Sequence, residues 1–446
     1  MGRYASWGNY PNARHRDVRI LRWRVDALPA PEDGSTLLPR GLGRSYGDSC
    51  LNEGGTLLDT TRLNHFIDFN RETGVLRCEA GLPLSEILEA STRHGWFLPV
   101  SPGTKHITIG GAVANDIHGK NHHRAGTFGR FVRRFELVRS NGERLVCSPG
   151  ENETLFRATI GGLGLTGLLT WVEFQMKRIS SEFLDVESVR FSNLDEFFEL
   201  AEDSDAKFEY TVAWVDCMAR DRNLGRGLFL RGNHTEASET QAVTPSRRRV
   251  PGRFGVPFHA PGFLLNGPTI RAFNALYYGR QRERISSRIS HYESFFYPLD
   301  VVAHWNRLYG RRGFLQYQCL VPYGGDREAV RALFSRISAS GEGSFLAVLK
   351  IFGDLPSPGL LSFPRPGVTL ALDFPNRGRR TLDLLEELDS IVRRFGGRVY
   401  PAKDARMSQQ SFQAFYPEWL ELAQYVDPAF SSSFWRRVTA AGGQAE

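Results

Sequence analysis

The sequence predicts an α+β protein built in more than one part. Three observations lead there. The first 180 residues are dense in glycine and carry short apolar runs, whereas the later residues alternate strand-length and helix-length patterns. Hydrophobic residues make up 41% and charged residues 24%, the balance of a globular chain, which excludes collagen-like, coiled-coil and wholly disordered classes. A length of 446 residues, at about 150 per domain, allows two or three domains.

Thr56–Asp59 and Phe135–Val138 are apolar runs of strand length. Leu84–His94 reads as a helix: Pro83 suits an early helical position, Leu84, Ile87 and Leu88 share one face, and Gly95 ends it. Leu168–Met176 and Phe183–Phe191 read as strands. Asn193 and Glu196 have capping-box spacing before Leu194, Phe197, Phe198 and Ala201, which repeat as one helical face. Phe208–Val215 follows as a strand. Strand, helix, strand then recurs in Gly313–Val321, Asp326–Ser340 and Ser344–Phe352. Val368–Phe374 and a helix over Leu382–Phe395, ended by Gly396-Gly397, complete the series. This rhythm predicts a sheet with helices on one face. Asn233–Gly262 differs: polar at first, basic at Arg247–Arg249, then Gly/Pro-rich with Phe254, Val256, Phe258 and Phe263 around it. It is read as a mobile insertion without a core of its own.

Formal net charge is +7, dispersed along the chain and without a nucleic-acid-binding motif, so no nucleic-acid partner is expected. Only six of the 56 basic residues are lysine: Lys105, Lys120, Lys177, Lys207, Lys350 and Lys403. A lysine retained among so many arginines suits a task arginine cannot do, such as losing its proton; compositional drift is the plainer reading of each. Five widely spaced cysteines exclude a CxxC zinc site and point to reduced thiols in a core. No apolar run approaches the roughly 18 residues of a spanning helix. The polar first twenty residues predict no signal peptide.

Three glycine-rich segments follow one another. Gly162–Gly167 matches G-x-G-x-x-G in letters, but a strand rather than a helix comes next, so it fails as a dinucleotide fingerprint and reads as a turn. Pro39–Asp48 and Ser101–Lys120 are more telling. Glycines there let successive backbone N–H groups converge on an anion, and two such loops can clamp one diphosphate. His118, His122 and His123 have a spacing seen in metal sites, but the glycine before Lys120 argues for a loop, and no metal is expected.

The segments PRGLGRSYGD, SPGTKHITIGGAVANDIHGKNHH and GGLGLTG resemble the flavin domain of the vanillyl-alcohol-oxidase (PCMH-type) superfamily. DIHGKNHHRAGTFG, FYPLD, WNRLYG, GFLQYQ, LKIFG, LSFPRPG, LDFP and YPAKDAR resemble its decaprenylphosphoryl-ribose 2′-oxidase branch, in the same order from about residue 30 to 440. The resemblance implies a two-lobed PCMH-type FAD-binding domain over 1–182 and a substrate domain of antiparallel sheet over 183–397, containing the 233–262 insertion. Residues 398–446 would return to the FAD domain.

FAD is the implied cofactor. Pro39, Arg40, Gly41, Leu42 and Gly43 would hold it with Arg44, Ser45, Tyr46, Gly47, Asp48 and Ser49. Gly103, Thr104, Thr108, Ile109, Gly110 and Gly111 would form the second loop. Asn115, Asp116, Ile117 and His118, with Leu168, Tyr400 and Lys403, would complete the site. Covalent members of the superfamily use a histidine in the first loop. This loop has none, and Cys50 lies just beyond it, so the FAD is expected to be non-covalent.

The resemblance places Lys403, Tyr297 and His118 at the chemistry. Oxidation of a carbinol needs a hydride acceptor, a base for the hydroxyl proton and a charge to stabilise reduced flavin. Lys403 suits either of the last two roles; a plain ion pair with Asp404 is the competing reading. Tyr46, Lys120, Trp214, Tyr297, Gln316, Gln318, Lys350 and Thr369 would line the substrate pocket. Gln316 and Gln318, two apart on a strand, share a face. Thr369, Ala371 and Asn115 depart from the Asn, Cys and Cys of actinobacterial members, which alters the pocket wall.

The implied activity is oxidation of the 2′-hydroxyl of a polyprenylphosphoryl pentose, the first half of a 2′-epimerisation in cell-envelope arabinan precursor synthesis. A short-chain-dehydrogenase-type reductase partner and peripheral contact with the inner membrane would go with it. An aldonolactone or alditol oxidase of a free sugar is the alternative.

Overall fold

Period-two alternation dictates the largest layer. A computed structural model describes residues 4–30, 34–236, 254–261 and 265–440. Its main sheet has eight strands: β11 (Phe183–Phe191), β12 (Tyr210–Val215), β13 (Gly227–His234), β15 (Ile285–His291), β17 (Phe314–Pro322), β18 (Ala347–Phe352), β19 (Gly367–Pro375) and β20 (Arg398–Val399). Their order is β15-β11-β13-β12-β18-β19-β17-β20, and every pairing is antiparallel. One face carries Val189, Phe191, Ala213, Val215, Phe229, Leu349 and Leu370 into a core under the helices Leu194–Asp205, Asp326–Ser340 and Arg379–Arg394. Each such valine, leucine or phenylalanine side chain removed from water stabilises the fold by about 1.5–3 kcal/mol. The other face turns toward the rest of the chain and is largely left open as a cavity floor.

The first part has two further sheets. β1 (Asp17–Ile20), β3 (Thr56–Asp59) and β2 (Leu37–Arg40) form a parallel sheet in that order. β4 (Phe66–Asn70), β5 (Val75–Glu79), β9 (Leu168–Gln175), β7 (Val132–Val138) and β8 (Arg144–Cys147) form an antiparallel one. Two short ribbons join β6 (Trp96–Phe97) to β10 (Lys177–Arg178) and β14 (Phe254–Gly255) to β16 (Val302–Ala303). Mixed strands and helices in this arrangement bear out the α+β reading with an antiparallel sheet helix-covered on one face.

Several local expectations hold and some shift. The Leu84–Ser91 helix starts after Pro83, tightens over Thr92–His94, and ends on Gly95 at φ 75°. Asn193 Oδ1 accepts from the Glu196 N–H, but the Glu196 carboxylate accepts from Ser192 rather than Asn193, so only half the capping box forms. The reciprocal box is at Asn266 and Thr269, opening the helix Gly267–Gly279. Within 233–262, His234 ends β13 and Phe254–Gly255 pairs with Val302–Ala303. Arg307 Nη1 donates to the carbonyls of Val256 and Pro257. These flanks are therefore tied down, contrary to a wholly mobile insertion. The basic triplet Arg247–Arg249, and Phe263, lie outside the described residues.

The last segment is stitched to the first. Leu37 N–H donates to Ala429 O at 2.7 Å, and Ser433 N–H to Leu51 O at 2.8 Å. Tyr46 N–H donates to Ala402 O at 3.0 Å, and a Cβ on Gly47 would fall 1.7 Å from Asp404 O. Only glycine permits that approach, so Gly47→Ala must push two backbones apart. It should lower the stability of the holoprotein by about 1–3 kcal/mol in thermal or urea unfolding. Gly279→Ala, whose Cβ would meet nothing within 4 Å, should leave it unchanged or slightly raised.

Candidate active site

A cavity of about 1190 Å³ lies between the open face of the main sheet and the two glycine loops. The loops face one another closely: a Cβ on Gly41 would lie 2.3 Å from Thr108 Oγ1. Gly43, at φ 61°, leaves room for the Arg40 guanidinium packed against it. The second loop is not all loop, because Thr108 caps a short helix, Ile109–Ala114, its Oγ1 accepting from Gly111 N at 3.2 Å.

Most of the expected cofactor residues line this space. Pro39 through Tyr46 and Ser49 form one wall; Gly103, Thr104, Thr108, Gly110, Gly111, Asn115, Ile117 and His118 form another, with Tyr400 and Lys403 beside them. Four do other work. Ile109 is completely buried in the core. Asp116 accepts from Gly129 N–H and from the Ser357 and Ser362 hydroxyls, fixing the turn under the second loop. Asp48 is paired with Arg437, and Leu168 packs among Leu37, Leu58 and Phe430, leaving Gly167 and Leu169 to reach the cavity. Gly47 likewise supports the wall from behind.

Polar atoms on the lining await a ligand. Arg40 Nε, Arg44 Nε, Ser49 Oγ and His118 Nδ1 are buried without a hydrogen-bond partner among the described residues. Two guanidiniums and a hydroxyl beside converging glycines suit a diphosphate. The Gln318 amide donates to His118 Nε2 at 2.9 Å, which leaves the neutral ring's proton on Nδ1, free to donate. Burial, then the charges of Lys350, His122 and Lys403, hold the His118 pKa well below its usual value. Its ring is wedged by Phe352, Phe363 and Tyr400, with centroids 4.9–5.6 Å away. FAD therefore fits the donor set. His122 begins a separate short helix, its ring tilted 31° against Phe352 with the centroids 4.2 Å apart.

Three of the six lysines reach the cavity, and burial lowers all three. Lys403 falls to about 7, by burial against the opposing pull of Asp373, with Lys350 adding to the drop. Lys120 falls to about 7 by burial and the Lys350 charge, and Lys350 to about 8 by burial. Lys403 Nζ lies 3.9 Å from the centre of the Tyr46 ring and makes no ion pair among the described residues. Its sequence neighbour Asp404 instead accepts from Arg437 and from Arg406 and Met407 N–H. Lys105, Lys177 and Lys207 are paired with Glu293, Glu209 and Asp203.

Gln316 and Gln318 do share the cavity face, with Tyr46, Lys120, Trp214 and Lys350 around them. Gln316 Nε2 donates to Asp373 Oδ1 at 2.6 Å, and burial raises Asp373 to about 7. Tyr297 and Thr369 do not line the cavity. Tyr297 is fully buried behind Ser101, bonded to its hydroxyl, and Thr369 donates to Cys319 O behind Gln318. Both support the wall rather than present themselves to it. The third glycine segment, read as a plain turn, does contribute: Leu163, Gly164 and Gly167 line the cavity at positive φ. Ser101, His106, Phe295, Phe296, Pro298–Asp300 and Val302–His304 also line it; Ser101 and His106 belong to the second glycine segment and FYPLD covers Phe296 to Asp300, while Phe295 and Val302–His304 carried no signal.

Residues 29–148 match the FAD binding domain family. The chain is 37% identical over 425 residues to the decaprenylphosphoryl-β-D-ribose oxidase of Mycolicibacterium smegmatis, covering 93% of this chain and 92% of that one. The chain belongs to the decaprenylphosphoryl-β-D-ribose oxidase family. It is an FAD-dependent oxidoreductase. An uncharacterized protein of Streptomyces coelicolor is 35% identical over 372 residues, 80% of this chain and all of that one. Similarity to a Neurospora crassa protein carrying the name D-arabinono-1,4-lactone oxidase is confined to 136 residues, 30% of this chain.

In an oxidase of this family the attachment of the flavin is open to a direct check. Cys50, the thiol nearest the first loop, is buried, and its Sγ is directed at Gly47 O and Ser45 O, 3.6 and 3.8 Å away. Burial pushes its pKa up, so it stays a poorly nucleophilic thiol. Acid precipitation should release all FAD to the supernatant; yellow colour retained by the washed pellet would contradict non-covalent binding.

Proposed function

We propose that the chain oxidises the 2′-hydroxyl of a polyprenylphosphoryl pentose to the 2-keto sugar, the first half of a 2′-epimerisation in cell-envelope precursor synthesis. Residues 1–182 and 398–446 hold the cofactor, and 183–397 receive the substrate. The observation that carries the reading is Lys403: a buried amine of pKa about 7, without an ion pair among the described residues, at the meeting point of the flavin loops and the Gln316/Gln318 face. FAD, when bound, supplies the hydride acceptor. Lys403 in its neutral form takes the hydroxyl proton as the carbonyl forms, and becomes the ammonium that balances negative charge on the reduced cofactor. Gln316 and Gln318 present amides to sugar hydroxyls. Lys120 and Lys350 supply the positive field for the phosphodiester. Tyr297 holds Ser101 in the wall, and His118 offers Nδ1–H to the cofactor.

The similarity to the lactone oxidase is too short to favour a free sugar as substrate. A reductase must return the keto group to the opposite hydroxyl for epimerisation, and a short-chain-dehydrogenase-type partner suits that chemistry. Peripheral membrane contact suits a prenyl-linked substrate. Among the described residues no helix is long and apolar enough to cross a membrane.

Two outcomes are expected from anaerobic mixing with a prenylphosphoryl ribose while flavin bleaching is followed. Lys403→Ala should keep its FAD yet bleach about 10²-fold more slowly, and Lys403→Arg should not recover the rate, because arginine keeps its proton. The second outcome concerns pH. The ammonium form, dominant below about 7, cannot accept a proton. The wild-type rate should therefore rise with pH through about 7 and level off above it, and this limb should be absent from the residual rate of Lys403→Ala. A wild-type profile that falls across the same range would assign Lys403 a purely electrostatic role.

A further inference from the structure

The cavity does not stop at the sugar-binding end; its floor runs sideways across the main sheet. Gln318 on β17 stands opposite Ala371 on β19, Ala371 opposite Val348 on β18, and Val348 opposite Trp214 on β12. Two residues along, Val212 on β12 stands opposite Leu230 on β13, Leu230 opposite Ser188 on β11, and Ser188 opposite Ser286 on β15. All eight of these side chains line the cavity. The two registers thus join into one trough that crosses the sheet at right angles to the strands. Its middle is apolar, formed by Ala371, Val348, Trp214, Val212 and Leu230; Arg288, two residues from Ser286 and on the same face, lines the cavity at the outer end with Arg280. Lys350, two residues from Val348 and on the same face, marks its cationic inner end.

Six interstrand steps of about 4.8 Å separate β17 from β15, so the trough is about 29 Å long. The four steps from β18, where Lys350 stands, to β15 span about 19 Å. An isoprene unit adds four C–C bonds of about 1.5 Å, or roughly 5 Å when extended. The trough outward of Lys350 matches about four units. It leaves the protein at the free edge of the sheet, beside the Gly267–Gly279 helix, whose Tyr277 lines the cavity and whose Leu276 is 76% exposed.

We infer that this trough is the seat of the prenyl chain, holding the first four isoprene units after the phosphate across β18, β12, β13, β11 and β15 and releasing the remainder at the β15 edge. The inference rests on the substrate class proposed above and deepens it. The amines at the inner end meet the phosphate, and the apolar floor removes the adjoining hydrocarbon from water. The two serines floor the last two strands, so the inner units lie on apolar side chains and the outer ones pass over small hydroxyl side chains before the chain leaves at β15.

Prenyl phosphates that carry no sugar test the trough separately from the sugar chemistry. Calorimetry of the holoenzyme with chains of one to six isoprene units, below their aggregation limits, should show binding tightening about three- to tenfold per unit up to about four units and then levelling off. A Val212→Thr, Leu230→Asn double variant changes polarity at nearly constant shape. Checked for normal FAD content and melting temperature, it should lose most of the gain between one and four units. Equal binding of one-unit and four-unit chains, or a gain left intact in the double variant, overturns the trough. Bleaching by prenylphosphoryl riboses of the same lengths is the other arm. If the phosphates show the length dependence and no prenylphosphoryl pentose bleaches the flavin, the trough stands and the proposed sugar oxidation falls.

Discussion

Arg437 decides what Lys403 can be. Its guanidinium donates to Asp48 at 2.8 Å and to Asp404 at 2.9 Å, joining the first glycine loop to the turn that carries the lysine. Asp404 is the carboxylate nearest to Lys403 in sequence. Were it not committed to Arg437, it could pair with the lysine and keep the amine charged. With that carboxylate held away, burial dominates and the amine comes near neutrality at physiological pH. Breaking a buried ionic contact of this kind costs about 3–5 kcal/mol, because the remaining charges have no water to return to. The first glycine loop, the Lys403 turn and the closing helix Ser433–Thr439 therefore stand or fall together.

The second constraint is the use of both faces of one sheet. Strands in an ordinary helix-covered sheet can leave their other face to water. Here that face is the floor of the cavity, so the same strand that places Leu349 in the core places Lys350 in the site. Burial of the amines follows from this architecture rather than from any local partner. Asp373 belongs to the same balance: raised to about 7 by burial, it takes a hydrogen bond from Gln316 and is the carboxylate that Lys403 feels most strongly.

The parts legible in the sequence were those with a local physical signature. The Asp326–Ser340 helix and the Phe183–Phe191 strand run where periodicity put them. The first two glycine loops were legible because closely spaced glycines exclude regular structure and invite backbone approach, and they do face each other. The Thr108 helix was hidden by its two glycines, although threonine three residues before Gly111 is a cap position. The third glycine segment was set aside because it failed one fingerprint; its positive-φ residues serve the cavity through another geometry. Cross-strand relations were out of reach. Gln316 opposite Asp373, or Val212 opposite Leu230, depends on register, which no single strand encodes. Tyr297 and Thr369 show the converse limit, since a motif can mark a residue that acts from behind the wall.

The register also bears on two residues of the wall. Ala371 occupies the step between Gln318 and Val348. The position needs a small side chain to keep the floor continuous between the amines and Trp214, and alanine meets that need without a thiol. Thr369 lies one layer deeper, donating to Cys319 O at 2.8 Å and accepting from Gln318 at 3.3 Å. Its hydroxyl can hold the Gln318 amide toward His118 much as an asparagine side chain can, so the substitution preserves the orientation of the residue that faces the site. Both departures leave the polar end and the apolar trough in place. What this wall supplies is thus shape and amide orientation.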